Sequence, residues 1–377
     1  MYTISKFISR AILSSCAILS AEYAFDKESL SANATPEMGM FTLGTPKVEG
    51  LTDGKLHLYF CGTGDPEIGM QNIRRPSCLA VVADNEFFVI DAGEGSSQNL
   101  GAIQLPLPLL NKVFMTHWHS DHMAGLGYLS NVSWLAGRAG PMNLYGPFGV
   151  DKIANALNDL YSLDTLYRGV NREGSVNVDS FVIKPNYITT ANGREPIFKT
   201  NNLKLIPFQV DHEPAFPALG YVIDYKGCKV VVSGDTSINA NLAEHYKDAV
   251  LLISEAFSHN LGQYILKSFE NSSDKAEGLA YYNETAHYHS DTWELAKFAT
   301  EQGVKQIVLT HLVPAIPTTK AAKALFTKGM EQYYKGSITV ADDRDEVVVE
   351  KKGNACVVTY NPAFQPDYKV IQTVPTN

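Results

Sequence analysis

Short apolar runs that end on a chemically active side chain recur along this chain of 377 residues. Val113-Phe114-Met115 leads into Thr116-His117-Trp118-His119-Ser120-Asp121-His122. Leu203 to Val210 leads into Asp211-His212, Lys229 to Val232 runs through Ser233-Gly234 into Asp235-Thr236, and Gln306 to Thr310 leads into His311. This pattern predicts buried strands whose carboxyl ends gather ligand-type residues on one rim, where open α/β sheets keep their chemistry. Leu56 to Cys61, Phe88 to Ile90 and Leu251 to Ala256 read as further strands, and Leu219 to Asp224 with Cys228 to Val232 as a pair joined by Tyr225-Lys226-Gly227. A helix is expected from Val150 to Tyr161 and a strand near Phe181 to Ile183. Ile338 to Ala341 and Glu346 to Glu350 read as a closing hairpin with Asp342-Asp343 in its turn.

The His117 to His122 cluster is the most specific of these signals. His117 and His119, two apart on an extended loop, can point together at one ion, and Asp121 and His122, in the next turn, can reach a second. Imidazole with carboxylate suits zinc, and less tightly manganese or iron. Alone, His212 or His311 would read as an ordinary core or surface histidine and Asp235 as a helix cap; beside the cluster they read as metal ligands.

With these motifs on one chain, residues 50 to 350 resemble the metallo-β-lactamase fold superfamily. The shared features are the His-x-His-x-Asp-His signature, a third histidine, an aspartate in a Ser-Gly-Asp-Thr turn and a final histidine after a strand. The resemblance implies an αββα sandwich in a single α/β domain. It makes His117, His119 and His212 ligands of one divalent ion, Asp121, His122 and His311 ligands of the other, and Asp235 the bridge. Further stretches are similar to the ribonuclease Z and arylsulfatase-like branch. These are Leu56 to Pro66 with its glycine-rich loop, Asp91-Ala92-Gly93-Glu94-Gly95, Ser254-Glu255-Ala256 and His289-Ser290-Asp291-Thr292. By that likeness Asp91 orients the ligand loop from behind, His289 is the acid that protonates the leaving group, and Glu255 orients His289. His287 is the weaker candidate for that acid.

Two cations about 3.5 to 4 Å apart can hold a hydroxide at neutral pH, and that hydroxide is the expected nucleophile toward an ester with anionic oxygens. The substrate is where this chain departs from the branch. Ribonuclease Z enzymes carry an arm that grips transfer RNA between the third histidine and the bridging aspartate, and only the short strand pair lies between His212 and Asp235. Forty acids against thirty-one Lys plus Arg give a net charge of −9, which opposes electrostatic capture of a polyanion. The expectation is therefore a metal-dependent hydrolase of a small sulfate ester or phosphodiester, with no long nucleic acid as partner. Ribonuclease Z-like nuclease, lactonase and β-lactamase activities are the alternatives, and a non-catalytic binding protein is the reading from another class. Tyr264, Phe269, Tyr281, Tyr282 and Tyr288 are candidate walls for an aromatic ester.

Lys6 and Arg10 precede the apolar run Ala11 to Leu19, with small residues at Ser20, Ala21 and Ala24. Residues 1 to 24 therefore read as a secretory signal, too short for a membrane span, and place the protein in the periplasm or outside the cell. Lipidation at Cys16 is the less favoured variant. Residues 25 to 50 read as a polar leader, 51 to 350 as the hydrolase domain and 351 to 377 as a carboxyl-terminal strand and tail. A composition of 45% hydrophobic and 19% charged residues supports one large core. The spacing of Cys61, Cys78, Cys228 and Cys356 is compatible with one or two disulfides or with isolated thiols. A homodimer stays open.

Overall fold

The computed structural model describes residues 41–42, 49–171, 177–189, 194–269, 275–362 and 370–372. The expected leader over residues 1 to 24, with Cys16, lies outside the described residues. Strands β2 (Leu56–Gly62), β3 (Cys78–Ala83), β4 (Glu86–Ile90), β5 (Lys112–Phe114), β6 (Met142–Gly146) and β7 (Ile183–Tyr187) run consecutively across one sheet. The chain then builds a second sheet from β8 (Phe198–Lys199), β9 (Leu203–Val210), β10 (Ala218–Tyr225), β11 (Cys228–Val232), β12 (Leu251–Phe257), β13 (Gln306–Val313) and β14 (Ser337–Val340). It returns with β15 (Glu346–Lys352) and β16 (Ala355–Asn361) to complete an eight-stranded first sheet against the seven-stranded second. A separate two-stranded pair joins β1 (Phe41–Thr42) to β17 (Val370–Gln372).

The two sheets pack face to face, and side-chain alternation explains why their strands read as nearly continuous apolar runs. Leu56, Leu58 and Phe60 of β2 point between the sheets, into a core shared with Leu219, Tyr221 and Ile253. Tyr59 and Cys61 point the other way, into a core with helices α1 (Ser96–Ile103), α3 (Leu126–Leu135) and α4 (Val150–Leu160). Short helix α2 (Ser120–Met123) precedes α3, and α5 (Ser162–Asn171) follows α4. The outer face of the second sheet is covered by α6 (Ala243–Tyr246), α9 (Thr292–Glu301), α10 (Lys320–Thr327) and α11 (Met330–Tyr333). The paired helices α7 (His259–Phe269) and α8 (Lys275–His287) lie between β12 and α9 in sequence. The result is the αββα sandwich. Burying each large side chain of these layers stabilises it by roughly 1.5–3 kcal/mol, so the interior, not the rim, sets its stability.

Two details differ from the sequence reading. Ile338 to Ala341 and Glu346 to Glu350 do not form a hairpin: β14 pairs with β13 in one sheet and β15 with β2 and β16 in the other. Residues 341–345 cross between the sheets, held from afar. Arg74, fully buried, donates to the carbonyl of Ala341 and to Asp342, and Asp343 accepts from the backbone of Thr63 and Arg75. The 123–202 span supplies α3 to α5 and the sheet edge at β6 and β7. The strand expected near Phe181 to Ile183 begins at Ile183.

Two disulfides are present. Cys61–Cys78 ties β2 to β3, and Cys228–Cys356 ties the second sheet to the first across 128 residues of chain. Such cross-links persist in oxidising surroundings. Among the described residues no helix is long and apolar enough to cross a membrane.

Candidate metal centre

β9 and β11 both run antiparallel to β10, and β11, β12 and β13 run parallel, so β9, β11 and β13 deliver their ends to the same rim. In the first sheet β4 and β5 run parallel and end on Asp91 and on the His117 loop. His311 lies inside β13, two residues before its end, at a backbone φ of 41° in the left-handed region. A non-glycine residue held there is a local strain of the kind that clusters at functional sites. Two glycines permit the tight approach of the loops. Gly234, at φ 61°, has the carbonyl of Leu219 2.2 Å from where a Cβ would stand, and Gly93 has the carbonyl of Asp121 at 2.3 Å.

The structure brings all seven ligand-type residues of the sequence reading together. Ligand atoms of His117, His119 and His212 lie within 4.8 Å of one another, as do those of Asp121, His122 and His311. Between the two triples, Asp235 Oδ2 stands 3.2 Å from His122 Nε2, 3.4 Å from His311 Nε2, 3.6 Å from His212 Nε2 and 3.9 Å from His117 Nε2. His117 Nε2 and His119 Nδ1 are 2.9 Å apart, and His119 Nδ1 and His212 Nε2 are 3.2 Å apart. Imidazole nitrogens converging on one point, with His122 Nε2 buried and without a hydrogen bond, are a donor set that fits divalent cations.

Electrostatics separates the two triples. Burial first, and neighbouring imidazoles after it, hold His117 well below the usual histidine range, and burial likewise lowers His119 and His212. Burial works in the same direction on His122 and His311, but there Asp235 and Asp121 override it. His122 is pushed well up and His311 to about 9. Despite their own burial, the histidines hold Asp235 and Asp121 far below the carboxylate range. The second triple thus calls for positive charge, which a proton or a metal ion can supply.

Partners behind the ligands fix their rings. Asp91 accepts from the backbone and hydroxyl of Thr116, both at 2.8 Å, and its Oδ2 is 2.8 Å from His122 Nδ1. Thr116 Oγ1 is 3.0 Å from His117 Nδ1, and His212 Nδ1 donates to the carbonyl of Tyr288 at 2.9 Å. Each contact leaves the opposite ring nitrogen aimed into the centre. Thr116 and the Tyr288 carbonyl were missed in the sequence. Thr116 stood in plain view at the head of the cluster, whereas a backbone acceptor 76 residues from its donor leaves no local signal.

His289 and Glu255 stand beside the centre. Glu255 Oε2 is 3.1 Å from His289 Nδ1, and its other oxygen accepts from the backbone of Ser290 at 2.7 Å and of Thr236 at 3.2 Å. Ser290 in turn donates to the carbonyl of Thr236. One buried carboxylate thereby locks the Asp235 turn to the His289 corner. Asp291 caps α9 by accepting from the backbone of Trp293 and Glu294, so a helix start holds that corner. His287 is exposed at the end of α8 and has no such setting. Of the proposed aromatic walls, Tyr264 is exposed and Tyr282 packs on Phe257, whereas Tyr288 lies against His212 and His289.

A family model described as the metallo-beta-lactamase superfamily matches residues 73–311. A ribonuclease Z from Mycobacterium marinum is 27% identical over 264 residues, 69% of this chain and 88% of that protein. Among solved structures, the metallo-beta-lactamase fold protein YhfI from Bacillus subtilis shares 16% identity at a TM-score of 0.55, covering 78% of this chain and 99% of that one. The short form of human tRNase Z shares 21% identity at a TM-score of 0.54, covering 78% and 98%. The curated relatives overturn the expectation of an extracytoplasmic hydrolase of small sulfate or phosphate esters, because the name they carry is ribonuclease Z. That expectation rested on net charge, on one short connection and on the reading of residues 1 to 24 as a secretory signal. Net charge is a property of the whole chain and does not report the potential inside a cleft.

Proposed function

The chain belongs to the metallo-beta-lactamase superfamily of metal-dependent hydrolases, and from that premise we propose that it cleaves phosphodiester bonds of RNA with two divalent ions, zinc first among the candidates. The observation that supports this most is the His289–Glu255 pair beside a two-ion cluster, on a chain that aligns along 88% of a ribonuclease Z.

His117, His119 and His212 would hold one ion, Asp121, His122 and His311 the other, and Asp235 would touch both. Bound there, the ions supply Lewis acidity toward the phosphate oxygens and lower the pKa of water to near neutrality. The chain's own residues do the rest. Asp91, Thr116 and the Tyr288 carbonyl keep the imidazoles aimed. Glu255 holds the Nδ1 side of His289, which directs Nε2 toward the centre as the proton donor for the departing alkoxide. The 8% exposure of His289 keeps bulk water from that donor. β10 and β11 are joined by the tight turn Lys226-Gly227, so the RNA is held by other parts of the rim.

Incubating the protein with a chelator and then a labelled oligoribonucleotide tests this reading. Cleavage should vanish and return with added zinc or manganese. His289→Ala should lower kcat on the oligoribonucleotide far more than on bis-nitrophenyl phosphate, whose leaving group needs no proton. Chelator-resistant cleavage, or equal losses on both substrates, would contradict it.

A further inference from the structure

Tyr288 is an aromatic side chain beside the centre to which the reaction gives no part. Its ring centroid is 4.9 Å from that of His212, nearly perpendicular to it at 86°, and 4.8 Å from that of His289. It therefore touches one metal-ligand histidine and the proton donor at once. The residue is held at two points: its backbone carbonyl accepts from His212 Nδ1 at 2.9 Å, and its side chain shares a hydrogen bond with the buried Thr285. Although so anchored, the side chain is only partly buried beside the centre.

Resting on the RNA reading above, we propose that the Tyr288 ring is the stacking platform for the nucleobase of the leaving nucleoside. Hydrolysis places the water oxygen on phosphorus, breaks the bond to the leaving oxygen and puts a proton on that oxygen. The proton donor is His289, so the leaving oxygen must come within hydrogen-bond reach of its ring. The nucleoside carrying that oxygen then extends over what flanks His289, where beside the ligand histidines and Glu255 the flanking aromatic side chain among the described residues is Tyr288. A face-exposed aromatic ring stacks any base with little sequence preference. A ring already immobilised by Thr285 and by the His212 contact does so with little further loss of side-chain freedom.

The test uses two dinucleotide phosphodiesters that differ only in the leaving half, one a nucleoside and the other an abasic ribose. Which half leaves is identified from the wild-type products. The wild type should favour the nucleoside by roughly tenfold in kcat/KM, mostly through KM. Tyr288→Ala should abolish that preference, and Tyr288→Phe and Tyr288→Trp should retain it. Metal content should stay at the wild-type level in all three, because the acceptor for His212 is backbone. If Tyr288→Ala lowers both substrates equally, or loses metal, the ring is structural and the proposal fails. If neither dinucleotide is cleaved while methyl nitrophenyl phosphate is, the RNA reading fails on its own. The platform is then judged on that aryl ester: a KM raised in Tyr288→Ala and rescued by Phe upholds it, and an unchanged KM overturns it.

Discussion

The two triples of the centre hold similar atoms in different surroundings. His117, His119 and His212 form an all-imidazole set, and His119 is exposed to solvent. Asp121, His122 and His311 are all buried and include a carboxylate, with the nearer approach of Asp235 and with Asp91 behind His122. Burial lowers the pKa of the first set, whereas in the second the carboxylates win against burial and push His122 and His311 up. Charge, more than ligand count, separates the halves. The buried set should hold its ion tightly, and the open set should exchange its ion and face substrate.

The largest effect is expected where the halves meet. Asp235→Asn should release both ions and lower kcat on bis-nitrophenyl phosphate by more than about a thousandfold; one retained ion with near-normal turnover would show that Asp235 joins nothing. Next come the halves themselves. His122→Ala should abolish tight binding of the buried ion, whereas His119→Ala should keep one ion per chain through chelator titration and lose only the second. The reverse order would break the comparison. Asp91→Asn should weaken the buried ion by about 10- to 100-fold and the open one less, since Asp91 reaches His117 only through Thr116. The smallest effect on the centre should follow Cys78→Ser. The Cys61–Cys78 link lies two residues before Thr63, whose carbonyl accepts from Leu312 next to His311. Its loss should cost about 3 kcal/mol of stability for a loop of this length, seen in the urea midpoint, and weaken only the buried ion, by a few-fold.

Most of this centre was legible in the sequence because its ligands come as strand ends. An apolar run that stops on His or Asp states both the element and the rim. The αββα fold followed from the resemblance those motifs carry to the metallo-β-lactamase fold superfamily, whereas the unbroken apolar runs indicated only strands buried on both faces. What escaped depends on partners far along the chain. The strands at Ile338 and Glu346 look like a hairpin locally, and partners far along the chain, among them Arg74 and Thr63 more than 260 residues away, hold the crossing between their two sheets. The pairing of Cys228 with Cys356 and the carbonyl of Tyr288 behind His212 are of the same kind. The substrate was misread for another reason: a net charge of −9 and a short strand pair describe what the chain lacks, whereas the 27% identity to a ribonuclease Z reflects the residues it has.

The central claim is tested most directly by comparing kcat/KM for a single-stranded oligoribonucleotide with that for nitrophenyl sulfate, using zinc- or manganese-loaded protein. A ratio far above one, lost together with the ions in Asp235→Asn, is the expected result. Sulfate turnover that matches or exceeds RNA cleavage would contradict the assignment.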